Sequence, residues 1–212
     1  MQLYSIPFSP YASRCRIQIY HKSLPVEVIA PPGGLRSPEV LAGNPGGRIP
    51  VLTTAQGALA ESWAIMEFLE DLHPEIPMRP DSDFGRARQR ELVRFADLYL
   101  ASALFPLFRA LRGAAVNIEE SLGALKEQLA VLEAQWPRRP AAADLDLLDA
   151  AVLPIVWYTR LLAAHNGETD VLSDLPRTRD WWQAGHKRPA AARVLGEMED
   201  GLKAAIPTLF PE

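Results

Sequence analysis

Gly47-Arg48-Ile49-Pro50-Val51-Leu52 and, shortly after it, Glu61-Ser62-Trp63-Ala64-Ile65-Met66-Glu67-Phe68-Leu69 are the stretches on which the fold is read. A proline between two short apolar runs cannot donate a sheet hydrogen bond, so it does not fit an ordinary central strand. It fits a tight turn that leaves the Ile49 main-chain N–H and C=O free, which a cis Ile49-Pro50 bond would provide. The second stretch puts an acid and a hydroxyl at a helix start, where N–H groups collect anions. Together they describe a pocket for a peptide-like ligand that carries a carboxylate.

Outward from this point the N-terminal third has short, mixed periodicities. Residues 2–5 read as a strand and 10–22 as a helix with Ala12, Cys15 and Ile19 on one face. Residues 26–29 form a second strand, Pro31-Pro32-Gly33-Gly34 breaks the chain, and 37–42 hold one or two helical turns. Two further short strands, 51–53 and 58–60, flank the turn signal Gln56-Gly57. The helix from Ser62 buries Ile65, Phe68, Leu69 and Leu72 and ends before Pro74. The order β-α-β-α-β-β-α predicts a small α/β layer with an antiparallel edge hairpin. Pro10 suits the first helical position, which makes Ser9 an N-cap.

Residues 73–83, rich in proline and charge, read as a linker. Beyond them the pattern is helical. A long helix is expected from Phe84 to about Arg112, kinked at Pro106. Leu125, Leu129 and Leu132 share a helical face, and Asp146-Leu147-Leu148-Asp149 has the logic of a capping box. Leu148, Val152, Ile155 and Val156 form the inward stripe that follows. Trp181-Trp182 and Arg188-Pro189-Ala190-Ala191 mark two final short helices.

The chain has 212 residues, 48% hydrophobic and 23% charged, with a formal net charge of −4. That balance gives no electrostatic reason to expect nucleic acid. Arg86-Ala87-Arg88-Gln89-Arg90 reads as a solvated helix face. The start has neither a basic leader nor an apolar signal core, and no run is read as membrane-spanning. The single cysteine, Cys15, excludes an internal disulfide and any multi-cysteine metal site, and its place on a helix face reads as a buried thiol. His21, His73, His165 and His186 show no metal spacing. A cytoplasmic protein without a metal is expected.

The N-terminal region resembles the thioredoxin-like domain of the cytosolic glutathione transferases, and the domain order resembles that superfamily over essentially the whole chain. Ser9-Pro10-Tyr11-Ala12-Ser13-Arg14 falls where cysteine-type members carry Cys-Pro-Phe/Tyr-Ala and where other classes carry an activating serine. Ile49-Pro50 matches the cis-proline turn, Glu61-Ser62 the γ-glutamyl recognition pair, and Ser62-x-Ala64-Ile65 the helix signature. Asp146 to Asp149 followed by Ala150-Ala151-Val152-Leu153-Pro154 matches the capped helix of the helical domain.

The resemblance implies a thioredoxin-like glutathione-binding domain over residues 1–75 and an all-helical domain over 84–212 that forms the second-substrate pocket. It implies glutathione as co-substrate, a small hydrophobic electrophile, and a homodimer. Arg36 and Arg48 fall where members set a basic residue against the glycyl carboxylate, and Ile49 where the cysteinyl backbone pairs. Ser9 would be the catalytic hydroxyl, with Tyr4 and Tyr11 as rivals; Tyr11 and Phe105 would line the second-substrate pocket. Asp97 falls where some dimers reach the partner's glutathione amine. A free thiol near pKa 8.5 needs roughly 2.7 kcal/mol of preferential stabilisation to drop about two units, within reach of a hydroxyl donor plus a helix dipole. Two other readings remain. One is a glutathione-dependent isomerase of the maleylacetoacetate or maleylpyruvate type, whose Ser-Ser-Cys and following tryptophan are absent here. The other is a non-catalytic interaction module of the same fold.

Overall fold

In the first seventy residues short alternating strands lie between helices, and their registers decide what faces what. A computed structural model describes residues 1–140, 142 and 144–210. Its N-terminal unit runs β1 (Gln2–Tyr4), α1 (Pro10–His21), β2 (Glu27–Ile29), α2 (Pro38–Gly43), β3 (Val51–Thr54), β4 (Gly57–Ala60) and α3 (Ser62–Leu72). The sheet order is β2-β1-β3-β4; β1 and β2 are parallel and the other pairs antiparallel. Leu3 lies opposite Leu52 and Tyr4 opposite Val51. Side chains alternate across a sheet, so the first pair joins the main core with Ile65 and Leu69 of α3, and the second packs with Val40 of α2. This is the small α/β layer with an antiparallel edge hairpin that the element order predicted, in the thioredoxin-like arrangement that the resemblance implied.

The segment after α3 is more tightly held than a linker. Met78 is buried, its N–H donates to Glu70 Oε1 at 2.7 Å, and its C=O accepts from Leu147 N (2.8 Å) and Gln89 Nε2 (3.1 Å). Glu70 in turn receives Lys22 Nζ at 2.6 Å, and both side chains are almost wholly buried. The Pro/charge composition signalled an irregular path, but not that one carboxylate on α3 pins it.

The helical unit contains α4 (Asp83–Phe95), α5 (Ala101–Ala110), α6 (Ile118–Gln135), α7 (Leu147–His165), α8 (Pro176–Gly185) and α9 (Pro189–Ala205). The expected single long helix is interrupted, but at a π-helical turn over Ala96–Leu100 rather than at Pro106, which α5 incorporates. Helix α7 is the centre of this unit, buried along most of its length and packed against α1. It is long and apolar enough by composition to cross a membrane, contrary to the sequence reading, but 78% of that window is buried inside the protein. A helix buried all round must be apolar all round.

The capping box forms as read. Asp146 Oδ1 accepts from Asp149 N at 2.8 Å and Asp149 Oδ2 from Asp146 N at 3.2 Å. Asp149 also accepts from Trp181 Nε1 (2.6 Å) and Arg139 Nη2 (2.8 Å), which ties α8 and the preceding loop to the start of α7. Glu133 of α6 caps α8 from outside, accepting from the Arg177 and Thr178 N–H groups at 3.0 and 2.8 Å.

Burial first, and then the neighbouring Asp149 charge, push the Asp146 carboxyl up from 3.8 to about 6. The fold therefore favours the protonated form, a contribution fully present below about pH 4 and lost as pH rises through 6. Asp146→Asn keeps an oxygen for the Asp149 N–H, so it should gain stability relative to wild type between pH 4 and 7; urea midpoints across pH measure this. At the other anchor, Glu70→Ala strands a buried ammonium and should cost about 3–5 kcal/mol. Lys22→Met/Glu70→Gln, which removes the ammonium and keeps an acceptor for the Met78 N–H, should recover most of that loss in the same urea assay.

Candidate active site

The strand register brings the segments that carry the predicted glutathione-site residues to one end of the sheet. Ile29, Tyr4, Val51 and Ala60 lie side by side across the sheet. The chain leaves β1 and β2 past this row, enters β3 through Pro50 and leaves β4 into Glu61. The Ser9 loop, the loop carrying Arg36, the Ile49-Pro50 turn and the Glu61-Ser62 helix start therefore converge at one end of the sheet.

Ser9 is the N-cap of α1, with Pro10 in the first turn. Its Oγ accepts from Ala12 N at 3.2 Å. This uses a lone pair and leaves the single hydroxyl proton to donate to whatever sits at the helix start. Ser13, one turn on, is buried and directs its hydroxyl to Pro7 O. Cys15 lies between α1 and α3, its Sγ 3.6 Å from Ser62 O. Burial pushes its thiol up to about 12, so it stays a packed, protonated group.

The Ile49-Pro50 bond is cis. The Ile49 N–H and C=O have no main-chain partner among the described residues. Asn44 shapes the approach: its amide donates to Arg48 O at 3.0 Å and its Oδ1 accepts from Gly46 N at 3.0 Å. Gly47 has φ 64°, and a Cβ there would stand 2.9 Å from Arg36 Cγ, so the Arg36 stem rests on this turn. Arg36 and Arg48 are both exposed on this loop pair.

Glu61 is the acid that the sequence sets at the helix start. It occupies the N-cap position of α3 with φ 68° and ψ 109°, and its side chain caps nothing. A non-glycine residue is held in that region only when its surroundings impose it, and such strain gathers at functional sites. Ser62, the first residue of α3, is buried beside it.

The helical unit contributes a feature the sequence did not reveal. Asp97, on the π turn, forms a two-pronged pair with Arg14 of α1, at 2.6 and 3.1 Å, and the Arg14 side chain is fully buried. The Arg14 guanidinium lies 5.0 Å from the Tyr11 ring centroid. Burial raises the Tyr11 hydroxyl pKa; Arg14, Asp97, Arg48 and Glu61 all act electrostatically on it. The phenol thus marks the point where the charges of both units meet. Asp97 pairs within its own chain. A π turn between α4 and α5 would have been the signal, but no residue spacing encodes one legibly. Phe105 is 54% exposed on α5, while Phe108 packs edge-on to Tyr158 at 4.9 Å. Tyr4 packs under α2, on the sheet face opposite α1. A cavity of about 750 Å³ lined by Met78, Phe84, Arg88 and Leu145 includes none of the predicted site residues.

Known proteins resemble this chain in sequence and in fold. Residues 3–77 match the glutathione S-transferase N-terminal domain family. Glutathione S-transferase F10 of Arabidopsis thaliana is 30% identical over 76% of this chain and 80% of its own. Maleylacetoacetate isomerase of Pseudomonas aeruginosa is 31% identical over 70% of this chain and 69% of its own. A solved glutathione S-transferase from Methylobacterium radiotolerans, in complex with glutathione sulfonate, superposes with a TM-score of 0.74 at 24% identity, covering 92% of this chain and 93% of that one.

The Glu61 backbone carries its own test. Glu61→Gly should raise the unfolding free energy by about 1 kcal/mol, because glycine adopts positive φ without the Cβ penalty. Glu61→Ala, which keeps the Cβ, should show no such gain in the same denaturant titration.

Proposed function

The chain belongs to the cytosolic glutathione S-transferase superfamily and is a glutathione S-transferase enzyme, and we propose that it activates the glutathione thiol with the Ser9 hydroxyl. The observation that carries this is the Ser9 cap: a hydroxyl whose acceptor side is used by Ala12 N and whose proton is free, at the α1 N-terminus. A thiolate placed there gains one charge-assisted hydrogen bond, about 1.5–3 kcal/mol, and the helix dipole, about 0.3–1 kcal/mol. The sum covers the roughly 2.7 kcal/mol needed to lower a thiol pKa by about two units. Tyr4 is set apart by its place under α2, while Tyr11, whose phenol burial keeps protonated, is a rival donor that the Ser9→Ala variant distinguishes.

In this reading Glu61 and Ser62 hold the γ-glutamyl end, the free Ile49 main chain beside Pro50 pairs with the cysteinyl backbone, and Arg48 with Arg36 meets the glycyl carboxylate. The arrangement is supported by the convergence of these segments at one sheet end. The unit of residues 1–75 binds glutathione. The helices of 84–212, with Tyr11 and Phe105 at the wall, receive a small hydrophobic electrophile, and the active species is a homodimer. The isomerase reading draws on the Pseudomonas aeruginosa relative, but Pro10 and Tyr11 stand where that serine-rich signature would continue.

Titration with glutathione, following thiolate absorbance in the ultraviolet across pH, tests the serine. Wild type should show saturable binding with a thiolate forming below its solution pKa. Ser9→Ala should bind glutathione within a few-fold of wild type and lose about 10–100-fold in turnover with a model electrophile. Unchanged turnover would remove Ser9 from the mechanism.

A further inference from the structure

Four contacts converge on the two peptide units that precede Ser9. Phe8 O accepts from the Tyr158 hydroxyl of α7 at 2.5 Å, while Ser9 N donates to Ile6 O at 3.2 Å. These atoms belong to one planar peptide unit, so it is clamped at both ends and the Ser9 Cα is fixed in place. One residue earlier, Pro7 O accepts from Arg16 Nη2 and from Ser13 Oγ. Arg16 is almost wholly buried and is itself paired with Glu197 of α9. From the same helix, Gly201 approaches so closely that a Cβ there would stand 2.6 Å from Pro7 Cβ.

Behind the loop there is open space. A cavity of about 460 Å³ is bordered by Ser5, Pro7, Arg16, Tyr20, Glu197 and Gly201. Hydrogen bonds to its carbonyls, with Phe8 packed on the core and Gly201 against Pro7, keep the loop from retreating into that space. Burial raises the Tyr158 pKa further, so at neutral pH it is always a donor, with Phe8 O as its acceptor.

We propose that Tyr158 is a positioning residue for thiol activation: through Phe8 O it sets the direction of the Ser9 hydroxyl, with the Arg16–Glu197 pair and Gly201 holding the adjoining Pro7. The helical unit then contributes to glutathione activation as well as to the second-substrate wall. This rests on the reading of Ser9 as the activating group.

The test measures the pKa of enzyme-bound glutathione and the separate kcat and KM for glutathione in Tyr158→Phe, Ser9→Ala and the double variant. Tyr158→Phe keeps the ring that Phe108 packs on and deletes only the donor. It should raise the bound thiolate pKa by about one unit and cut kcat about tenfold, with KM changed less than threefold. In the Ser9→Ala background the same substitution should do nothing more, because it acts through Ser9. Gly201→Ala, which displaces Pro7 from the other side, should give the same signature and stands in if Tyr158→Phe does not fold. A thiolate pKa unchanged in both loop variants, or full additivity with Ser9→Ala, overturns the inference while leaving the serine reading intact. An unchanged thiolate pKa in Ser9→Ala overturns both.

Discussion

Helix α1 and its C-cap residue carry three cations out of water, and the protein is arranged to meet them. Arg14, Arg16 and Lys22 are 0%, 3% and 5% exposed. Each is matched by a carboxylate on a different element: Asp97 on the π turn, Glu197 on α9, and Glu70 on α3. Desolvating a charge costs several kcal/mol and is recovered only where the partner is close and well oriented. None of these helices can shift against α1 without stranding a buried ion. Two of the three partners belong to the helical unit, so the ion pairs fix where that unit sits.

The site inherits this rigidity. The same helix whose flanks hold Arg14 and Arg16 presents Ser9 at its N-terminus, and the strand register sets the Ile49-Pro50 turn and Glu61 beside it. The Arg14 guanidinium, paired with Asp97, lies against the Tyr11 ring within one turn of Ser9. On the other flank, Arg16 reaches Pro7 O, two residues before the serine. A preorganised hydroxyl stabilises a thiolate more than a mobile one, because little reorganisation remains when the charge forms.

Much of the local structure was legible in the sequence because it depends on near neighbours. A proline between apolar runs, a serine before proline at a helix start, and two aspartates three apart before an apolar stripe are short-range signals, and each formed as read. The failures have a common cause. Pro106 looked like the break in the fourth helix, yet the ladder loosens at Ala96–Leu100, where Asp97 has to meet Arg14. Residues 73–83 looked like a free connection because nothing nearby reveals that Glu70 and α7 bind Met78. Helix α1 was read as one-sided because arginine and lysine ordinarily mark a wet face.

The sequence alone thus determined the order of elements, the turn that frees Ile49, the cap at Ser9 and the box that starts α7, since each depends on neighbours within a few positions. Only the tertiary structure decided that Glu61 adopts positive φ, that Asp97 belongs to Arg14, and that Tyr158 holds the peptide before Ser9. Those contacts join residues up to 150 positions apart. Burial decides whether a charge or a hydroxyl needs a partner, and burial depends on the whole fold.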